Sequence, residues 1–145
     1  MAITCAFDLE TRQYDITNAF ANATRKQPIA CACAEGFERP RKILWVLKAL
    51  YGLKTSPLDW FKELTYTLDD LGLHPVPDTN CLFMNDWLIL IFFVDDIIAI
   101  YSSRDKLKMN KFESKLIAKY ELQQLSTAKY FLRIRIVRDR ANRKL

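Results

Sequence analysis

The chain has 145 residues, half of them hydrophobic, and 22 basic against 17 acidic side chains leave a net charge of +5. That is enough chain for one buried core and hardly enough for two, and the basic balance suits a polyanionic partner. Four cysteines (Cys5, Cys31, Cys33, Cys81) and a single His74 make no zinc set, because Cys31-x-Cys33 lacks both the usual spacing and a second ligand pair. The thiols read as free in a reducing, intracellular setting. The apolar stretch before Asp8 is too short for a signal peptide and has no basic lead.

In chain order, Met1 to Glu10 reads as the tail of a helix feeding a short strand that ends in Asp15. Residues 21–40 are irregular, and Ile43 to Leu47 is a second short strand or buried segment. A helix follows, with Ser56 as N-cap, Pro57 at its first position and Asp59 in its first turn. Trp60, Phe61, Leu64, Leu68 and Leu71 keep helical spacing, and Gly72 stops it. His74-Pro-Val-Pro-Asp78 is a rigid connection. After residue 101, Ser103 caps a second helix with Met109, Phe112, Leu116 and Tyr120 on its apolar face. At the C-terminal end Ile134 and Ile136 alternate with Arg133 and Arg135, which reads as a strand.

The most telling segment lies between those helices. Asp95 and Asp96 interrupt an apolar run from Trp87 to Tyr101, and each arm has strand length and composition. A membrane helix is disfavoured, since the run is too short and each central charge would cost at least about 2.5–3.5 kcal/mol. A hairpin with a carboxylate pair at its tip remains. Asp-Asp can be simple turn chemistry, and Asp15 alone can be a strand-end or cap residue. Together, a strand delivering one carboxylate beside a hairpin delivering two is an oxygen-ligand set for two-metal phosphoryl or nucleotidyl transfer. The elements add up to an α+β chain with helices packed on one face of an antiparallel sheet.

Five segments carry a resemblance: Gln13-Tyr-Asp-Ile-Thr-Asn-Ala-Phe20, Glu35-Gly-Phe37, Lys48-Ala-Leu-Tyr-Gly-Leu-Lys-Thr-Ser-Pro57 with Trp60, Phe93-Val-Asp-Asp96 and Tyr130-Phe-Leu-Arg-Ile-Arg-Ile136. In this order and spacing the chain resembles the reverse transcriptase of copia-type LTR retrotransposons. The resemblance implies a polymerase palm with a catalytic Asp-Asp hairpin, and an RNA-directed DNA polymerase activity. Asp15, Asp95 and Asp96 would be the catalytic carboxylates, holding two Mg²⁺ (or Mn²⁺) ions with the backbone carbonyl of Ile16. Phe20 would lie under the incoming sugar and select deoxynucleotides, or be a core phenylalanine. Tyr51 and Gly52 would lie beside the nascent base pair, although the glycine equally serves a simple turn. Lys54 would contact template phosphate or be solvated. Arg133 and Arg135, in a basic stripe with Arg138, Arg140 and Arg143, would face the primer or be a solvated strand face.

The partners implied are an RNA or DNA template with its primer, deoxynucleoside triphosphates and other segments of a Pol polyprotein, without a membrane. The whole chain would be one partial reverse-transcriptase domain, with most of the fingers, the thumb and ribonuclease H absent. The alternative is a catalytically inactive remnant with at most weak nucleic-acid binding. Departures from the family pattern bear on binding and stability more than on metal chemistry: Phe93 replaces a tyrosine, Ala21-Asn-Ala23 replaces Leu-Asn-Gly, alanines and cysteines replace bulkier residues within 27–34, and Arg133 replaces a glycine. If the lost glycine before Thr24 had positive φ, Ala23 would strain its turn by about 1 kcal/mol.

Overall fold

The computed structural model describes residues 2–125 and 128–144, so Met1 of the first predicted helix lies outside the described residues. The chain divides into two compact units, Met1–Thr17 with Tyr66–Leu145, and Asn18–Thr65. Helices and antiparallel strands alternate along it, and the architecture is α+β.

The first unit is built on a six-stranded sheet in the order His74–Pro75, Leu82–Met84, Leu88–Phe93, Asp96–Tyr101, Glu10–Ile16, Leu122–Gln124. The strands are β1 (Glu10–Ile16), β4 (His74–Pro75), β5 (Leu82–Met84), β6 (Leu88–Phe93), β7 (Asp96–Tyr101) and β8 (Leu122–Gln124), all paired antiparallel. A short helix, α1 (Ala2–Ala6), precedes β1. The predicted rigid connection at residues 74–78 thus begins as an edge strand, a place where proline's missing N–H does no harm.

Alternation along the strands defines two faces. The first carries Arg12, Tyr14 and Ile16 of β1 opposite Ala99 and Ile97 of β7, with Leu88, Leu90 and Phe92 of β6 beside them. Apart from Arg12 these side chains are almost wholly buried, each contributing on the order of 1.5–3 kcal/mol where the side chain is large. Helix α4 (Lys106–Lys119) covers this face with Met109, Phe112 and Leu116. Arg12 of β1 reaches Glu113 and Asn110 of α4. Tyr120, just past α4, shares a buried 2.6 Å hydroxyl–hydroxyl hydrogen bond with Thr67 in α3 (Ser56–Asp70). The cap before α4 is Ser102, not Ser103. Ser102 Oγ accepts from Arg104 N–H at the start of a 3-10 turn, Ser103–Asp105, that leads into the helix.

The second face carries Thr11, Gln13 and Asp15 of β1 opposite Ile100, Ile98 and Asp96 of β7. Here Ala128, Phe131 and Ile136 pack on Ile98 and Ile100. The C-terminal stretch is not one strand but a tight hairpin, β9 (Tyr130–Phe131) against β10 (Ile134–Arg135). Leu132 and Arg133 form its two-residue turn with φ of 50° and 66°. Positive φ at both central positions is the type I′ turn that matches strand twist and favours Asn-Gly. Arg133 therefore lies in a left-handed turn and not on a strand face.

In α3, Asp59 N–H donates to Thr55 O at 2.9 Å, which makes Thr55 the cap residue whose carbonyl accepts the first helical bond. Ser56 Oγ instead accepts from Leu50 N–H at 3.0 Å. The helix ends as predicted: Gly72 takes φ 81°, its N–H donates to Asp69 O, and Leu73 N–H donates to Leu68 O. That pair of bonds is a Schellman stop.

In the second unit, the stretch expected to be irregular forms α2 (Ala19–Asn22) and β2 (Thr24–Cys31), and β2 pairs antiparallel with β3 (Leu44–Lys48). The ladder shifts register between Thr24 and Ile29, which is why no clean alternation is visible in the sequence. β3 is a strand but not a buried segment, with Trp45 60% and Leu47 58% exposed. Ala23 has φ −84°, ordinary extended backbone, so the alanine causes no left-handed strain.

Candidate active site

β1 is paired on both edges, with β7 and with β8, so Asp15 at its end is held by two ladders. Ile16 N–H donates to Asp95 O at 3.0 Å, and Thr17 N–H donates to Glu121 O at 2.9 Å. The hairpin β6–β7 closes with Phe93 opposite Asp96, leaving Val94 and Asp95 as its two-residue turn. Asp96 is thus the first residue of β7 and stands directly opposite Asp15. Directly opposed residues project to the same face, so two carboxylates share one end of the sheet and the third sits on the adjoining turn.

Electrostatics record this crowding. Partial burial, then repulsion from Asp95 and Asp96, holds the Asp15 carboxyl above its ordinary value. Asp96 is also raised, first by burial and also by Asp95, against an opposing hydrogen bond from Gln13. Val94 takes φ 57° in the turn. A β-branched residue there is an outlier in a position that favours glycine, with a cost on the order of 1–3 kcal/mol. Strain and like charge accumulate at the same turn.

The donor set is all-oxygen and negative, which fits a hard divalent cation. As their side chains lie, no group of three or more His, Cys, Asp or Glu among the described residues converges to hold an ion. Asp15 and Asp96 face each other, while Asp95 is carried on the turn.

In the second unit, two of the residues singled out from the sequence touch. The rings of Phe20 and Tyr51 lie 4.4 Å apart at 49°. Phe20 is nearly buried and Tyr51 is largely exposed. Gly52 follows with φ 90°, and a Cβ there would meet nothing within 4 Å, so the turn needs its conformation and not its size. Ala49 N–H donates to Ala23 O at 2.9 Å, tying this loop to the end of α2. Arg25 braces the start of α3, donating to Thr55 Oγ1 at 2.8 Å and to Asp59 Oδ2 at 3.2 Å. Lys54 is exposed.

The basic stripe is only partly free. Arg138 donates to the carbonyls of Leu9 and Thr4 and pairs with Asp8, while Arg140 pairs with Glu10. Arg133 and Arg135 remain exposed on the C-terminal hairpin. Sequence reading assigned no role to Gln13, a buried amide whose Nε2 donates to Tyr130 O at 2.7 Å and to Asp96 Oδ1 at 3.5 Å. Its signal was available: strand alternation puts a glutamine two positions before Asp15 on the carboxylate face.

Fold and site define an α+β protein whose carboxylates cluster at a hairpin end of an antiparallel sheet. The chain belongs to the reverse transcriptase (RNA-dependent DNA polymerase) family, whose model matches residues 1–145. It is 27% identical over its whole length to the retrovirus-related Pol polyprotein from transposon TNT 1-94 of Nicotiana tabacum, covering 11% of that protein. The Ty1-GR3 Gag-Pol polyprotein of Saccharomyces cerevisiae is 31% identical over 77% of this chain and 6% of its own length. The Pol polyprotein from transposon RE1 of Arabidopsis thaliana is 28% identical over 85% of this chain and 9% of its own. The chain therefore spans about a tenth or less of these relatives. No solved structure matches it. Among the described residues, no helix is long and apolar enough to cross a membrane.

Proposed function

We propose that the chain is a palm core of an RNA-directed DNA polymerase of the copia type, acting in nucleotidyl transfer onto a primer 3′-hydroxyl. The single observation that carries the reading is Asp15 directly opposite Asp96, with Asp95 on the adjoining turn, in a reverse transcriptase family chain. Asp15, Asp95, Asp96 and the carbonyl of Ile16 are the residues that would hold Mg²⁺ or Mn²⁺. Two such ions, when bound, activate the attacking oxygen and hold the leaving group.

The chain's own residues supply the frame. β1 and β7 fix the backbone at two of the carboxylates through their ladder, while the side chains would still have to turn together to share an ion. Phe20, packed on Tyr51, would offer an aromatic wall to the deoxyribose, with Gly52 letting backbone approach the base pair. Lys54, Arg133 and Arg135 would contact template or primer phosphates. Other segments of a Pol polyprotein would complete the clamp.

One set of observations favours the second reading, an inactive remnant with weak nucleic-acid affinity. Leu132 and Arg133 occupy left-handed turn positions without a glycine, and Arg138 and Arg140 are already engaged by acidic residues. RNA-templated primer extension in Mg²⁺ or Mn²⁺ separates the two, with Asp95→Asn, Asp96→Asn as control. Metal-dependent extension that vanishes in the control supports the polymerase. A folded chain that extends nothing even when its upstream segments are restored, yet binds duplex with steep salt dependence, supports the remnant.

A further inference from the structure

Gln13 is 5% exposed, and its amide nitrogen lies between two acceptors. It donates to the Tyr130 carbonyl at 2.7 Å and, over a long 3.5 Å, to Asp96 Oδ1. The register explains how one side chain spans both: Gln13 stands opposite Ile98, so Asp96 is two residues along β7 on the same face, a diagonal that long side chains reach. Tyr130 opens β9, and the hairpin β9–β10 sits on this same face through Phe131. A buried amide with one end fixed by a backbone carbonyl has its plane set by that carbonyl.

We infer that Gln13 is a positioning residue that ties the C-terminal hairpin to the Asp96 carboxylate, so that seating of the hairpin orients that carboxylate. The inference rests on the proposed role of Asp96 in holding a divalent cation. If the hairpin lifts, Tyr130 O withdraws, the amide plane is free to turn and Asp96 loses its fixed donor. Linkage is reciprocal: a cation that needs Asp96 oriented also favours the seated hairpin. One oxygen of Asp96 is engaged by Gln13, and the other would be the one to hold a cation.

A neighbouring contact provides the control. Thr11, on the same face of β1, accepts from Ala128 N–H at 3.4 Å. It tethers the same C-terminal segment upstream of the hairpin and is not a hydrogen-bond partner of Asp96. The experiment uses the full chain and two readouts: Mn²⁺ affinity by electron paramagnetic resonance titration, and amide hydrogen exchange over residues 129–136.

Gln13→Met is expected to lower Mn²⁺ affinity about tenfold or more and to speed exchange across the hairpin. Thr11→Val is expected to speed exchange near Ala128 while leaving Mn²⁺ affinity within about twofold. Equal loss of affinity in both variants would mean general loosening and would overturn the inference. So would unchanged affinity in Gln13→Met. Should Gln13→Met not fold, Gln13→Asn, one methylene too short to span both partners, gives the same comparison. Wild-type Mn²⁺ binding that is lost in Asp95→Asn, Asp96→Asn upholds the cation site of the proposed function whatever Gln13 does. Wild-type chain that binds no Mn²⁺ sinks the functional reading and the positioning role with it.

Discussion

Replacing Asp96 by Asn removes one of two directly opposed charges while keeping an oxygen that accepts from Gln13. Opposed residues in an antiparallel ladder bring their Cβ atoms to about 5 Å, and like charges there are destabilising. Two unit charges about 5 Å apart repel by about 0.8 kcal/mol at the dielectric of water and about 3 kcal/mol at an effective value of 20. Both Asp15 and Asp96 are only partly buried, so the lower end applies and Asp96→Asn should stabilise the metal-free chain by about 1 kcal/mol at pH 8. In a chain of this size that is a rise in Tm of about 2–5 °C.

The pH dependence follows from the raised carboxyls. Between the ordinary aspartate range and the raised values, the folded chain binds more protons than the unfolded one. Wild-type stability therefore falls as pH rises through that window and levels off above it. The advantage of Asp96→Asn should vanish near pH 3 and be fully present at pH 8. Mn²⁺ at ten times its Kd should stabilise the wild type by about 1.4 kcal/mol and cancel that advantage. Thermal melts at the two pH values, with and without Mn²⁺, read all three effects. A variant less stable than wild type at pH 8, or one equally advantaged at both pH values, would refute the repulsion argument.

Three further outcomes test the frame around the site. Arg12→Met leaves the partly buried Glu113 carboxylate without its cation and should cost about 3 kcal/mol in urea unfolding, more than Glu113→Gln. Leu132→Asn with Arg133→Gly gives the hairpin the residues its left-handed turn prefers and should raise stability by about 1 kcal/mol. No gain would mean that turn is not strained. Thr67→Val removes a buried hydroxyl partner of Tyr120 and should cost about 1–2 kcal/mol, with a fall in Tm as the measure.

Local pattern is enough for the hairpin at residues 87–101, because two β-rich arms around charged residues have no cheaper arrangement. It also determined the stop of α3 at Gly72 and the apolar stripe Met109, Phe112, Leu116, since both depend on neighbours within a few positions. Asp95 and Asp96 stand out because they interrupt an apolar run, whereas Asp15 ends a mixed stretch, Glu10 to Tyr14, and is singled out only beside them and by the resemblance. Tertiary structure alone decided that Asp15 stands opposite Asp96, because pairing register between distant strands is set by the whole sheet and a slip of one residue would turn each side chain over. It also decided that residues 24–31 form a strand, which a register shift hides from pattern reading. The type I′ turn at Leu132-Arg133 lacks the asparagine and glycine that mark such turns. The engagement of Arg138 and Arg140 by Asp8 and Glu10 joins residues about 130 positions apart. Local chemistry fixes which groups are present, and long-range pairing fixes which of them meet.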